Sequence, residues 1–340
     1  MKNMSPIIPV STAVCQVKSW KNLLKSAITD PYQLLRLVGV PPDALPFKLS
    51  PDNQFPLRVP QPFIDKMAYA DPTDPLLLQV LSQDTENRTV AGYGQDPLAE
   101  NQGDTPGLLH KYHGRVLLIL SAACAVNCRY CFRRHFPYQD KTASGAQLRA
   151  SLNYISNDPT ISEVILSGGD PLILGDAAIT NLLAQLAQMP HVKRLRIHTR
   201  LPVVIPQRIT TKLCEVLANS RLEMTMVVHI NHANEIDQIL TRALTSLREA
   251  GVTLLNQSVV LKGINDNLDS LVNLSESLFS AGVLPYYLHL LDKVAGAAHF
   301  DVTRNRATKL IEQMRMQLPG YLVPRLALEE AGKGAKTIIA

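Results

Sequence analysis

A chain of 340 residues, 46% hydrophobic and 19% charged, is long enough for one large or two ordinary domains and too apolar to be largely disordered. Its net charge of +5 is spread without blocks of like sign, which argues against nucleic acid as a partner, and no apolar run reaches the ~20 residues of a membrane span. Met1 to Val14 shows neither an apolar core nor a cleavage site, so no signal peptide is read and the cytoplasm is expected.

Residues 1–105 are rich in proline and carry short helical patterns, at Trp20, Leu23, Leu24 and Ala27, at Pro62 to Tyr69, and at Leu76 to Leu81. The punctuation Asp71-Pro72-Thr73-Asp74-Pro75 rules out long elements, and this part reads as an N-terminal helical region. From Arg115 apolar runs alternate with helical segments, the pattern of repeated βα units on a parallel sheet. The expected strands are Arg115 to Leu120, Glu163 to Leu166, Arg194 to Ile197, Met224 to His229, Thr253 to Val260 and Tyr286 to Leu290. The expected helices are Gln147 to Ser156, Asp176 to Gln188, Pro206 to Ala218, Asn234 to Ala250, Leu268 to Ser280 and Arg304 to Leu318. Asp176 is read as an N-cap and Gly251 as a helix stop, and Ile236, Ile239, Leu240, Ala243 and Leu247 share one helix face. Six units give a partial (β/α)6 barrel over 106–325, followed by a tail over 326–340. Its active site belongs at the C-terminal ends of the strands. The groups expected at that rim are a cysteine loop, Ser167-Gly168-Gly169-Asp170-Pro171, His198-Thr199-Arg200, His229, Asn256-Gln257-Ser258 and Asp292.

The most informative run is Cys124-Ala-Val-Asn-Cys128-Arg-Tyr-Cys131. A fully ligated four-iron four-sulfur cubane takes four thiolates, so three at this spacing leave one iron open to a small molecule. A zinc site completed by His135 is the alternative, although no second ligand pair follows. Arg129, Arg133 and Arg134 beside the cysteines suit small anionic ligands. Cys15 and Cys214 lie far off in sequence and are read as inert buried thiols.

With Tyr130 as its aromatic residue, the cysteine motif resembles that of radical S-adenosylmethionine enzymes. In that superfamily the open iron binds the amino and carboxylate groups of S-adenosylmethionine, and an electron from the cluster releases a 5′-deoxyadenosyl radical. The resemblance implies that Tyr130, Gly168, Gly169, Asp170, His229 and Gln257 contact S-adenosylmethionine. Five ordered strings narrow it further, from Cys-Arg-Tyr-Cys-Phe-Arg-Arg-His-Phe through Ser-Gly-Gly-Asp-Pro-Leu, His-Ile-Asn-His-Ala-Asn-Glu-Ile and Leu-Asn-Gln-Ser-Val-Val-Leu-Lys-Gly-Ile-Asn-Asp to Pro-Tyr-Tyr-Leu-His. They are similar to the lysine 2,3-aminomutases over about Pro106 to Lys336. The string Leu-Leu-His-Lys-Tyr-His and the short C-terminus resemble the branch that supplies (R)-β-lysine for modifying elongation factor P with its lysyl ligase.

The resemblance implies a second cofactor, pyridoxal 5′-phosphate, joined as a Schiff base to Lys336, with Lys333 as the fallback. By ordinary reasoning a lysine so near a chain end is a solvated cation, so burial at the barrel mouth is required of it. Lys111, Tyr112 and Arg115 match pyridoxal phosphate contacts, Arg133 matches the arginine for the substrate carboxylate, and Asp292 and Glu329 match the acidic pair for the ε-ammonium of L-lysine. The implied reaction is a radical 1,2-amino shift giving β-lysine, served by an electron donor such as flavodoxin or ferredoxin. Two departures stand out: Glu329 replaces an aspartate, and only four residues follow Lys336, so the cysteine-rich zinc segment of the fermentative enzymes is not expected. An aminomutase for arginine or glutamate is the nearest alternative; an iron-sulfur electron carrier or scaffold is the alternative from another class, disfavoured by the missing fourth cysteine.

Overall fold

The structure, a computed structural model, describes residues 19–50, 55–102, 107–143 and 145–340. Cys15 lies outside them. Among the described residues the N-terminal region contains four short helices, α1 (Trp20–Lys25), α2 (Pro31–Val38), α3 (Gln61–Ile64) and α4 (Pro75–Leu78). Proline opens α2 and α4 at a position that needs no donor, with Asp30 and Asp74 capping through their side chains.

Nine strands follow: β1 (Leu108–Tyr112), β2 (Arg115–Ser121), β3 (Glu163–Gly168), β4 (Arg194–Thr199), β5 (Glu223–Val228), β6 (Thr253–Val259), β7 (Leu284–His289), β8 (Arg325–Leu328) and β9 (Thr337–Ile338). They form one sheet whose spatial order equals the chain order. β2 through β8 are parallel, while β1 and β9 pair antiparallel to the two outer members. The intervening helices are α5 (Tyr138–Lys141), α6 (Gly145–Asn157), α7 (Asp176–Ala187), α8 (Leu201–Val204), α9 (Thr211–Ala218), α10 (Gln238–Glu249), α11 (Leu268–Ser280) and α12 (Arg304–Gln317). The six expected strands are β2 to β7. The sheet adds β8 as a seventh parallel strand and closes both edges with short antiparallel ones.

Several helix boundaries differ from expectation for local chemical reasons. The N-cap of α7 is Gly175, because the Asp176 carboxylate is taken by Arg208 at 2.8 Å and by the Thr210 hydroxyl at 2.7 Å. The expected helix from Pro206 breaks into a 3-10 turn at Pro206–Arg208 and α9, whose Thr210 cap accepts from Leu213 N. The stretch from Asn234 likewise splits into a turn at Ala233–Glu235 and α10, capped by Asp237. α10 buries Leu240, Leu244 and Leu247, while Ile239 is 47% exposed and so leaves the expected apolar face. Gly251 stands where the chain leaves α10, at φ +78°.

One apolar cluster runs from Trp20 in α1 through Phe63, Leu118, Leu166 and Leu195 to Val283, so the N-terminal helices share a core with the sheet. A second cluster joins β7, β8 and α12 and receives Ile339 and Ala340 of the tail. Among the described residues no helix is long and apolar enough to cross a membrane.

Candidate active site

The parallel strands end at a cavity of about 460 Å³. Its wall includes Cys124, Cys128, Tyr130, Cys131 and Arg133 after β2, Gly168, Gly169 and Asp170 after β3, His198 and Arg200 at β4, His229 after β5, Gln257 in β6 and Asp292 after β7. Lys111, Tyr112 and Arg115 enter from the first hairpin, and Glu329 and Lys336 from the tail. Every residue that the resemblance assigns to the cluster, the cofactors or the substrate therefore borders one space, whereas the fallback Lys333 and the expected rim residues Pro171 and Asn256 do not line it.

The cysteine loop is held from both sides. Arg129 N donates to Gln79 O at 2.9 Å and Asn127 N to Arg58 O at 3.1 Å, which ties the loop to the N-terminal region. Gly169 N donates to Ser121 O at 2.7 Å and Asp170 N to Ala123 O at 2.9 Å. A Cβ on Gly169 would stand 2.4 Å from Ala123 O, and Gly168 sits at φ +126° with its missing Cβ 2.8 Å from Ser121 O. The two glycines thus let β3 lie against the backbone that leads into Cys124. The Asp170 carboxylate faces inward on this turn, accepting from Thr199 Oγ1 at 2.7 Å and from the backbone N–H groups of Leu172, Arg200 and Leu201. Its role is to fix the β3 and β4 loops together.

The three thiols are close enough to feel one another. Burial, then the neighbouring Cys131, Asp170 and Cys128 charges, push the Cys124 thiol up, and burial with Cys128 pushes Cys131 up to about 11. Such mutual repulsion suits a cationic iron centre shared between them. Among the described residues no three His, Cys, Asp or Glu side chains are placed to hold a single metal ion, and His135 is instead 3.1 Å from Ala295 O through Nε2. A cubane places each thiolate on a different iron, so its ligands stand farther apart than those of one zinc ion.

The expected anion-binding cluster of arginines is corrected by the structure. Arg129 and Arg134 are buried on Glu86, with Arg129 Nε 2.9 Å from Oε1 and Arg134 Nη2 2.8 Å from Oε2. Arg133 meets Glu100 at 2.6 Å and 3.1 Å and also donates to Ser167 Oγ at 3.0 Å and Gly168 O at 3.2 Å. Burial alone would raise Glu100, but Arg133 and Lys111 outweigh it and hold the carboxyl below its ordinary range. Glu100 was not visible in the sequence. It is one carboxylate in a proline-rich stretch, and only the fold brings it to Arg133.

From Glu100 an alternating chain of charges crosses the cavity. Lys111 Nζ lies 3.0 Å from Glu100 Oε1 and 3.5 Å from Glu329 Oε1, and the other Glu329 oxygen meets Lys336 Nζ. Tyr112 OH donates to Glu329 at 3.2 Å, and the Lys336 ammonium is 6.0 Å from the Tyr287 ring centroid. Burial works against the Glu329 charge, yet Lys336 and Lys111 bring its carboxyl down to about 2. Asp292 goes the other way, pushed up to about 7 by burial and the Glu329 charge. Two carboxyl groups in one cavity thus hold their protons with very different affinity.

Three histidines lining the same cavity are neutral. Burial brings His229 and His289 down to about 3 and His198 well below its ordinary value. Gln257 Nε2 is 2.8 Å from His229 Nε2, whereas the buried Nε2 of His198 has no partner among the described residues. An orphaned ring nitrogen in a cavity wall fits a site built for a hydrogen-bonding ligand.

The Radical SAM superfamily model matches residues 118–274. The L-lysine 2,3-aminomutase of Haemophilus influenzae is 49% identical over 335 residues, 98% of this chain and 99% of that protein. That of Escherichia coli is 50% identical over 321 residues, 94% of each, and that of Clostridium subterminale 38% identical over 269 residues, 78% of this chain and 64% of that protein. A partial barrel, an open three-cysteine loop and this degree of identity over nearly the whole length converge: the chain belongs to the L-lysine 2,3-aminomutase family of radical S-adenosylmethionine enzymes, isomerases whose cofactors are implied to be a 4Fe-4S cluster, S-adenosylmethionine and pyridoxal phosphate.

Proposed function

We propose that the chain converts L-lysine to (R)-β-lysine in this cavity, with pyridoxal phosphate carried on Lys336, and that the product serves the β-lysylation of elongation factor P in the cytoplasm. The observation that carries the reading is that Lys336, Glu329, Asp292 and Arg133 border the same space as the three cysteines. Cys124, Cys128 and Cys131 would hold the cluster, Lys111, Tyr112 and Arg115 the phosphorylated pyridine, and the rim residues Tyr130, Gly168, Gly169, Asp170, His229 and Gln257 S-adenosylmethionine. When bound, the two cofactors supply hydrogen abstraction and a nitrogen carrier for the 1,2-shift.

The protein's part is placement and exclusion of water. Glu329 holds the Lys336 ammonium; substrate lysine brings an ammonium of the same chemistry, which would take that place beside Asp292 once the Lys336 amine is engaged elsewhere. At the other end Arg133 uses Nε, Nη1 and Nη2 on Glu100, Ser167 and Gly168, which leaves one Nη2 hydrogen that a substrate carboxylate would take. Two acidic side chains at one end and a guanidinium at the other select a dibasic amino acid, since a buried charge without its partner is costly. Flavodoxin or ferredoxin would supply the electron.

Treatment of the protein with pyridoxal phosphate and borohydride should bleach the visible band and attach the pyridoxyl mass to Lys336, with no label in Lys336→Ala. Label at Lys333 would move the cofactor. Anaerobic incubation with L-lysine, L-arginine or L-glutamate, reductant and both cofactors should yield a β-amino acid from lysine alone, and chiral analysis should give the R isomer. Product from arginine and none from lysine would overturn the assignment.

A further inference from the structure

Behind the cysteine loop lies a buried polar network centred on Arg200, Gln79 and Glu235. Arg200, the residue after β4, donates from Nη1 to Cys128 Sγ at 3.0 Å. Its Nη2 is fixed by Gln79 Oε1 at 2.8 Å and Glu235 Oε2 at 3.0 Å. Gln79 Oε1 also accepts from Asn231 Nδ2 at 3.0 Å and Tyr130 OH at 3.3 Å, while its Nε2 donates to Glu235 Oε1 at 3.3 Å. Glu235 Oε1 further accepts from the backbone N–H groups of Asn231 and His232. Gln79 and Glu235 are fully buried and Arg200 is 6% exposed. The guanidinium also stands 5.5 Å from the Phe63 ring and 5.6 Å from the Tyr130 ring. It is therefore clamped on one nitrogen and leaves the other on sulfur.

We propose that Arg200 is a positioning residue that acts through Cys128, its clamped guanidinium raising the reduction potential of the iron-sulfur cluster, while Glu235 offsets part of its charge. The inference rests on the cluster that family membership implies. Reduction takes the cluster from its 2+ to its 1+ state by one electron from a low-potential donor, with no bond made or broken. The added negative charge is shared with the thiolates, so a cationic donor fixed on one sulfur stabilises the reduced form more than the oxidised form, and the low dielectric strengthens the effect. Removing the carboxylate behind the arginine leaves its charge less compensated and acts in the opposite direction.

Because Arg200 also lines the cavity, the competing reading is that it serves S-adenosylmethionine directly. The full chain, reconstituted anaerobically with iron and sulfide, is titrated with dithionite and followed by absorbance and electron paramagnetic resonance, first without S-adenosylmethionine. Arg200→Met is expected to lower the reduced-to-oxidised ratio at a fixed solution potential about tenfold, a shift of about 59 mV. Arg200→Lys should fall between the two, and Glu235→Gln should raise the ratio, with iron and sulfide per chain unchanged. An unchanged ratio in Arg200→Met and Glu235→Gln, shifts of the same sign in both, or an Arg200→Met shift seen only with S-adenosylmethionine overturns the proposal. If Arg200→Met fails to hold a cluster, Glu235→Gln decides alone: a raised ratio supports the mechanism, and an unchanged or lowered one ends it.

Discussion

At the scale of single residues, the split between Asp292 and Glu329 has a functional sign. The Glu329 carboxyl, at about 2, is charged across the working range, whereas Asp292, at about 7, carries its proton below neutrality and loses it above. The ε-ammonium of lysine stays protonated to about pH 10, so only the protein side titrates. The KM for lysine should therefore fall as pH rises from about 6 to about 8, and in Asp292→Asn it should be raised about tenfold or more, a loss of about 1.4 kcal/mol in binding, with the pH trend absent. An undiminished trend in the variant would assign it elsewhere. Gly169→Ala, which drives a methyl into Ala123 O, should destabilise the fold by about 1–3 kcal/mol in urea titrations and reduce bound iron, while Gly320→Ala, with open space at its Cβ, should be close to neutral. The cysteine trio and the glycine pair were legible in the sequence because each forms a local string, whereas Lys336 was named only through the family resemblance. Glu100, Gln79, Glu86 and Glu235 were not, since each is a lone polar residue whose partner lies 33, 121, 43 and 35 positions away. The one local sign two of them give is the capping box, at Gln83 with Glu86 and at His232 with Glu235.

At the scale of elements, the tail is the most consequential piece. β9 is only two residues long, yet Leu326 N donates to Ala340 O at 2.9 Å and Ile339 N to Leu326 O at 2.8 Å, and Ile339 and Ala340 pack on the second apolar cluster. This pairing sets Lys336 at the cavity. Ile339→Asp should lower turnover at least about tenfold, about 1.4 kcal/mol, and expose Lys336 to amine-reactive reagents while far-ultraviolet circular dichroism stays unchanged. Retained turnover with an exposed lysine would mean that the strand does not position it. β2 to β7 were readable as apolar runs of strand length between helical patterns. β1, β8 and β9 were not, because Leu108–Tyr112 is apolar for only two residues, Arg325–Leu328 is four long, and β9 borrows its stability from β8. The helices at Pro206 and Asn234 were drawn too long because apolar periodicity runs through a 3-10 turn as readily as through the helix that follows it.

At the scale of the whole molecule, the N-terminal helices and the sheet share one core and are bolted together by buried charge pairs, among them Glu86 with Arg129 and Arg134. We propose that they unfold as a unit. Intrinsic fluorescence of Trp20, in α1, and far-ultraviolet signal from the whole chain should give coincident urea transitions, and Glu86→Gln should lower stability by about 3–5 kcal/mol, because it removes the carboxylate charge from the buried pairs that Glu86 makes with Arg129 and Arg134. Two separated transitions would contradict this. The agreement of spatial with chain order in the sheet carries a consequence for biosynthesis. Each βα unit emerging from the ribosome can add to the growing margin of its predecessors, without waiting for a distant segment to insert between them. The amine of Lys336 stands just before β9, so it leaves the ribosome behind β1 to β8, whose ends line the vault that is to receive it.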